Sequence, residues 1–216
     1  MQNDSSRNTT SQTVAVAIIM IPATVPVTDP SFGGTVLMNP GGPGGSGTQL
    51  ALDLGAYAQG ILDGEKHYEI LGFDPRGIGL SMPRADCYKN AFNRAADFAQ
   101  REGLPSVVSR PEGVSYNFQA AKGQGDLCEE AGPESIFNYM STASVARDML
   151  EIVERVAESR PNSAAVFDSG PSKLQYLGFS YGTFIGNTFA SMFPERVGRM
   201  VLDGVLNAED YIRGVS

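Results

Sequence analysis

Apolar and polar positions along the chain predict strands and helices in alternation. Short apolar runs rich in β-branched residues predict five strands, at 14–21, 34–38, 68–74, 174–178 and 200–202. Helical spacing predicts helices over 48–62, 144–159 and 183–193, with Ser144 as the N-cap of the second. The apolar stripe of the first helix comprises Leu50, Leu54, Tyr57, Ala58 and Ile61. Because helices separate the strands, we predict an α/β fold with a mostly parallel sheet covered on both faces.

Two stretches depart from this alternation. Residues 1–13 are polar, and we predict them to be loose. Residues 82–133 contain prolines and glycines that predict an irregular excursion. One helical face in its first part carries Tyr88, Phe92, Ala95 and Ala99. We therefore predict a single partial domain over 1–216 with an insertion at 82–133.

Composition excludes several classes of protein. The net charge of −8, from 16 basic and 24 acidic residues, does not suit phosphate neutralisation, so we expect no nucleic-acid partner. The apolar run at 14–22 is shorter than the roughly 20 residues of a membrane span and lacks the basic start of a signal peptide. We expect no membrane partner from it, and the compartment stays undetermined. The single histidine excludes a His-rich metal site, and we predict no metal and no cofactor.

A G-x-S-x-G sequence stands at 178–182, between a predicted strand and a predicted helix. The two glycines allow strand and helix to meet in a sharp turn, which exposes the Ser180 hydroxyl as a nucleophile. The N–H of Tyr181 begins the helix, where a developing oxyanion is stabilised. The alternative is an ordinary strand-to-helix turn with a serine cap.

A second glycine-rich sequence, NPGGPGGSG, occupies 39–47 between the second strand and the first helix. Consecutive glycines let backbone N–H groups face a site without obstruction, as an oxyanion hole requires. We predict Gly41 or Gly42 as the second oxyanion donor.

The same loop also satisfies the G-x-G-x-x-G pattern of dinucleotide-binding proteins. That function requires an acid about 20 residues later, at the end of the next strand. Asp63 and Glu65 precede that strand, and Asp74 ends it but comes too late. A Walker loop is excluded because Thr48 stands where lysine is required.

Three motifs in a fixed order carry a family resemblance: NPGGPGGSG at 39–47, FDPRGIGLS at 73–81, and LGFSYGTFIGNTFASMFPERVGRMVLDGV at 177–205. The chain resembles the α/β-hydrolase superfamily, and within it the proline iminopeptidase and tripeptidyl aminopeptidase group of serine hydrolases. The resemblance covers roughly 14–82 and 134–207.

The resemblance implies Ser180 as nucleophile, with Tyr181 and a glycine at 41 or 42 as oxyanion donors. It implies a peptide or small-molecule substrate. Asp74 and Arg76 would brace the turn that contains them. The excursion would carry Cys87 and Cys128 as a disulfide, although two cysteines alone are equally compatible with reduced thiols.

The family's chain order is serine, then aspartate, then histidine, and no histidine follows Ser180. His67 begins a strand, whereas active-site loops lie at the carboxyl ends of strands. We therefore place His67 roughly 20 Å or more from Ser180. Asp203, at the end of the last strand, is the one acid that could reach the site. The alternative is that Asp203 only shapes the turn that contains it.

The family sheet has about eight strands, against five predicted here, and the last would expose an apolar edge. These features predict the front portion of a hydrolase: a fragment, an incomplete gene product, or half of a two-chain enzyme whose second chain supplies the missing strands. The main hypothesis is a serine hydrolase, weak or inactive alone. The alternatives are a non-catalytic remnant that binds a ligand or partner, and a nucleotide-binding module.

Overall fold

The computed structural model describes residues 13–106, 108–130, 132, 134–165 and 171–214. The prediction of a loose amino terminus therefore lies almost entirely outside the described residues. The chain divides into two compact units. The first comprises residues 1–84 and 140–216, and the second comprises residues 85–139.

A five-stranded sheet forms the centre of the first unit, in the order β1-β3-β2-β4-β5. Only β1 runs antiparallel to its neighbour, and the other pairs are parallel. The predicted α/β class with a mostly parallel sheet is thus confirmed. The strands are β1 Ile18–Ile21, β2 Phe32–Asn39, β3 His67–Phe73, β4 Leu174–Phe179 and β5 Val197–Asp203.

Helices cover both faces of this sheet. Leu37 of β2 belongs to the core beneath two helices, α4 (Thr142–Glu158) and α5 (Tyr181–Met192). Its neighbours Val36 and Met38 belong to the core beneath α1 (Gly47–Leu62). This division follows from the alternation of side chains along a strand. The helices of the first unit are α1 Gly47–Leu62, α4 Thr142–Glu158, α5 Tyr181–Met192 and α6 Ala208–Arg213.

The buried face of α1 differs from the predicted apolar stripe. Tyr57 and Ile61 are 71% and 66% exposed, and Leu54 is also exposed. The helix instead buries small residues such as Ala51 and Gly55. Ala58 and Leu50 of the predicted stripe pack against the core, so the prediction was wrong for Leu54, Tyr57 and Ile61. The contact carries small residues because α1 lies close to the sheet.

Several boundaries also differ from prediction; for example, β5 extends over Val197–Asp203 rather than 200–202. The apolar run at 14–21 forms a strand only over Ile18–Ile21. Its single strand partner is β3, so it is an edge strand, and Ile18 is 47% exposed. The N-cap of α4 is Ser141, not Ser144, because the Ser141 hydroxyl accepts the N–H of Ser144.

Among its described residues, the second unit contains two α-helices, α2 Ala91–Glu102 and α3 Gly113–Glu129, and a short 3₁₀ helix at Ile136–Tyr139. Phe92, Ala95 and Ala99 of the predicted helical face lie in α2, whereas Tyr88 precedes that helix. The irregular structure expected over α3 was wrong. Arg101 of α2 donates hydrogen bonds to Gln124 and to the Ala120 carbonyl of α3. A disulfide joins Cys87 and Cys128. These non-local contacts support a helix that its internal glycines disfavour.

None of the helices in the described part of the chain has the length and apolar character needed to cross a membrane. Within the same residues, no group of three or more His, Cys, Asp or Glu side chains could hold a metal ion.

We expect Gly60→Ala in α1 to raise the free energy of unfolding by about 0.5–1 kcal/mol. No neighbouring atom lies within 4 Å of the added methyl group, and alanine restricts the unfolded chain. Gly47→Ala, at the start of the same helix, should lower the free energy of unfolding, because its methyl group would collide with the Phe73 backbone. Urea unfolding followed by circular dichroism measures both. A Gly47→Ala protein as stable as the native one would contradict the close approach of α1 to β3.

Candidate active site

The turn between β4 and α5 holds Ser180 in an unusual backbone conformation, with φ 52° and ψ −122°. Among the described residues it is the one non-glycine residue with a positive φ. A serine in such a region costs about 1–3 kcal/mol and persists only where its surroundings hold it. Ser180 is exposed, as the G-x-S-x-G motif predicts for a nucleophile.

Hydrogen bonds hold the Ser180 backbone from both sides. Its N–H donates to the Asp203 carbonyl at the end of β5, at 2.9 Å. Its carbonyl accepts the N–H and the hydroxyl of Thr183, at 2.8 and 2.6 Å. Asp203 therefore shapes the turn through its main chain. Its carboxyl group is on an exposed residue, and its role as a catalytic acid stays a prediction.

The two glycines of the motif are needed because neither position has room for a Cβ atom. A Cβ atom at Gly178 would lie 2.5 Å from the Tyr176 ring, and one at Gly182 would lie 2.8 Å from the Asn39 carbonyl oxygen. Larger residues at either position would push β4 and α5 apart and open the turn.

The glycine loop after β2 lies against this turn. Asn39, the last residue of β2, pairs with Gly178 of β4, so both segments leave the same edge of the sheet. A Cβ atom at Gly41 would lie 2.7 Å from the Tyr181 nitrogen. The structure thus brings Gly41, of the two predicted glycines, against Tyr181, the residue that follows Ser180.

The two predicted glycine donors differ in their hydrogen bonds. The Gly41 N–H already donates to the Asn39 side-chain oxygen at 2.8 Å. The Gly42 N–H has no acceptor in the part of the chain that the structure describes. Tyr181 is the first residue of α5, so its N–H has no acceptor within that helix. Of the predicted donors, Gly42 and Tyr181 are therefore the two whose amides have no acceptor among the described residues, and their role in an oxyanion hole stays a prediction.

Asp74 anchors the glycine loop from the end of β3. Its buried carboxylate accepts the Ser46 hydroxyl at 2.7 Å, the Thr48 N–H at 3.0 Å and the Leu80 N–H at 2.8 Å. Burial raises the pKa of Asp74, but the hydrogen bonds from Leu80, Ser46 and Thr48 outweigh it and hold the pKa below its usual value. The carboxylate thereby ties the start of α1 to the loop after β3.

Arg76, in that loop, is linked to α4. Its guanidinium donates two hydrogen bonds to the Asp148 carboxylate, from Nε at 2.7 Å and from Nη2 at 2.5 Å. Both side chains are largely buried. Asp74 and Arg76 therefore brace the loop, as the resemblance implies.

Aromatic residues that the sequence did not single out surround Tyr181. Its ring lies 5.5 Å from that of Tyr211 and 5.9 Å from that of Phe184, measured between centroids. Its hydroxyl bonds the Thr142 hydroxyl at 2.6 Å. Because Tyr211 and Thr142 are distant in sequence, no local pattern could have indicated this cluster.

His67 lies away from this site. It begins β3 and is paired with Phe32 at the start of β2, whereas the glycine loop follows the end of β2. Its Nδ1 is 3.0 Å from the Asp63 carboxylate and 3.1 Å from the Thr24 hydroxyl. The structure therefore places His67 at the opposite edge of the sheet from Ser180.

We expect Ser180→Gly to raise the free energy of unfolding by about 1 kcal/mol, because glycine adopts a positive φ without strain. Ser191→Gly, at an exposed helical position in α5, is the matched control and should lower it by about 0.5 kcal/mol. Urea unfolding measures both variants. Equal destabilisation by the two substitutions would show that Ser180 carries no backbone strain.

We expect Asp74→Asn to lower the free energy of unfolding at pH 7 by about 2 kcal/mol, because charge-assisted hydrogen bonds are lost. The folded-state pKa of Asp74 is depressed, so its stabilisation is complete well above pH ~3.9 and disappears as the pH falls through the folded value. In urea unfolding of both proteins between pH 7 and pH 3, the difference in free energy of unfolding should therefore narrow as the pH falls below about 3.9.

Asp53→Asn, at an exposed position in α1, serves as the control and should change the free energy of unfolding by less than about 0.5 kcal/mol. A difference between native protein and Asp74→Asn that stays constant down to pH 3 would contradict the role given to the Asp74 carboxylate.

Comparison with known proteins agrees with this geometry. The family model described as alpha/beta hydrolase fold matches residues 34–214. The serine protease Hip1 of Mycobacterium tuberculosis is 34% identical over 193 residues, which are 89% of this chain and 32% of that protein. The tripeptidyl aminopeptidase of Streptomyces coelicolor is 32% identical over 174 residues, 81% of this chain and 28% of that protein. Carboxylesterase B of M. tuberculosis is 35% identical over 127 residues, 58% of this chain and 23% of that protein.

The chain thus spans about a third or less of the length of these relatives. Their names describe proteins that act on peptides and on esters. The family match covers well over half of the chain, and the Hip1 match lies above 30% identity. The chain belongs to the α/β-hydrolase fold family.

Proposed function

We propose that this chain supplies the nucleophile and the oxyanion hole of a serine hydrolase that cleaves a peptide or a small ester. The observation that carries the proposal is the strained, exposed Ser180 placed one residue before the first amide of α5. Strain of this kind at a strand-to-helix turn is typical of a nucleophile rather than of a helix cap.

In the proposed reaction, the Ser180 Oγ attacks the carbonyl carbon of the substrate while a base takes its proton. The carbonyl oxygen becomes an oxyanion, to which the N–H groups of Gly42 and Tyr181 donate hydrogen bonds. The tetrahedral intermediate then collapses: the leaving amine or alcohol departs with the proton from the base, and the acyl group stays on Ser180. A water molecule hydrolyses that ester by the same steps.

The base does not come from the histidine of this chain, because His67 lies at the other edge of the sheet. We therefore propose that a further polypeptide segment supplies it and adds to β5. β5 is an edge strand in the described sheet, and Val201 on it is 55% exposed. An edge strand presents unpaired backbone N–H and C=O groups, which favour the addition of another strand.

The substrate class rests on the relatives. A serine protease, a tripeptidyl aminopeptidase and a carboxylesterase are named among them. All three names fit acyl transfer through a serine, so we propose a peptide or ester carbonyl as the bond attacked. Nucleotide binding is less favoured, because the Asp74 carboxylate that ends β3 is occupied by Ser46, Thr48 and Leu80 and cannot face a ribose.

Fluorophosphonate labelling, with the modified serine located by mass spectrometry, tests the proposal. Removing a catalytic base costs on the order of 10⁶ in turnover, while the oxyanion hole retains about 10³–10⁴ over water. We therefore expect the chain alone to be labelled slowly at Ser180. The rate at Ser180 should still be at least tenfold higher than the rate at Ser191. Added imidazole should accelerate it, because imidazole in solution replaces the base.

Ser180→Ala should abolish this labelling, and Ser191→Ala should leave it unchanged. Labelling of Ser180 no faster than that of Ser191, with and without imidazole, would reject the hydrolase and favour a non-catalytic remnant.

A further inference from the structure

Asn39 stands between the two halves of the proposed oxyanion hole. It ends β2 at the carboxyl edge of the sheet, and its side chain is fully buried, with 0% exposed. It pairs with Gly178 of β4 and directly precedes the glycine loop. Its carbonyl oxygen and Oδ1 also lie against Gly182, at 2.8 and 3.2 Å from the position of a Cβ there. One residue therefore contacts both the loop and the serine turn.

The side chain of Asn39 decides how the first amides of the loop are used. Its Oδ1 accepts the Gly41 N–H at 2.8 Å. This hydrogen bond turns the Gly41 amide toward Asn39, where it is not available to a substrate oxygen. The next amide, that of Gly42, has no acceptor among the described residues.

Stability does not account for asparagine at this position. Its Nδ2 is buried and has no hydrogen-bond partner in the part of the chain that the structure describes. A buried donor without a partner is unfavourable, and an apolar residue would avoid that cost. The side chain is thus explained by what its oxygen does.

Aspartate would offer the same acceptor without an unpartnered donor. Its carboxylate, however, would place a buried negative charge beside the amides that receive the substrate oxygen. That charge would oppose the developing oxyanion. Asparagine is the side chain that accepts from Gly41 at this length without carrying a charge.

We propose that Asn39 is a positioning residue, which engages the Gly41 amide so that Gly42 and not Gly41 donates to the oxyanion. The inference rests on the proposed hydrolase function. It assigns Asn39 no contact with the substrate: the residue acts through the backbone of the loop.

Amide hydrogen exchange of the full chain, followed by NMR with ¹⁵N-glycine labelling, tests the hydrogen bond directly. The Gly41 amide should exchange at least tenfold more slowly than the Gly42 amide, because only Gly41 is hydrogen-bonded. In Asn39→Ala the Gly41 amide should exchange at about the rate of Gly42. Asn39→Asp keeps an acceptor and should preserve slow exchange at Gly41.

The Thr48 amide, which donates to Asp74 and can be followed with ¹⁵N-threonine, reports whether the surrounding loop stays folded in each variant. Equal exchange of Gly41 and Gly42 in the native protein would overturn the proposal. So would unchanged exchange of Gly41 in Asn39→Ala. If Asn39→Ala does not fold, the native protein and Asn39→Asp decide the question.

The pH dependence of fluorophosphonate labelling tests the need for a neutral acceptor. For Asn39→Asp, we divide the rate of Ser180 labelling by the native rate at the same pH. This ratio should fall at least tenfold as the introduced carboxyl group ionises. Asn187→Asp adds the same charge at an exposed position of α5 and should follow the native profile. An Asn39→Asp profile parallel to the native one would overturn the charge argument.

The two experiments separate this proposal from the proposed function. Amide exchange does not depend on reactivity, so it can reject the role of Asn39 while Ser180 still reacts. Absence of labelling in the native protein rejects the hydrolase, whatever the exchange rates are.

Discussion

The hydrogen bond from the Ser180 N–H to the Asp203 carbonyl, which joins β4 to β5, is the interaction on which the site depends. A serine with φ 52° is strained and stays so only when several contacts oppose its relaxation. The Asp203 carbonyl holds one side of the residue, and Thr183 holds the other with its N–H and hydroxyl. The geometry of the serine therefore depends on the pairing of β5 with β4.

The rest of the site follows from two neighbouring parallel strands that end together. Asn39 of β2 and Gly178 of β4 are partners in the sheet, so the glycine loop and the serine turn meet at one edge. Binding sites of α/β proteins lie at the carboxyl ends of strands for this reason. Buried polar side chains then set the loop: Asp74 holds its far end, and Asn39 holds its first amide. Each uses an oxygen acceptor to orient backbone that glycine leaves unconstrained.

Local patterns predicted the elements well and their surroundings poorly. Five strands and the G-x-S-x-G turn were predicted because period-two and period-3.6 patterns, and the glycine spacing, are properties of short segments. The stripe of α1 was right for Ala58 and Leu50 and wrong for its larger members, because helical periodicity says where apolar residues cluster but not how near the sheet lies. In α3, Gly123 and Gly125 indicated a loop, whereas contacts from Arg101 and the Cys87–Cys128 disulfide support a helix.

The amino-acid sequence by itself determined the α/β class, the order of the five strands, and the position of Ser180 and the glycine loop at strand ends. These properties depend on residues close together in the chain. Only the tertiary structure decided that Gly42 rather than Gly41 has an unused amide, that Asp203 acts on Ser180 through its carbonyl, and that α1 buries its small residues. The physical reason is that hydrogen-bond partners and packing distances at this site join strands that are far apart in sequence, and no local pattern specifies them.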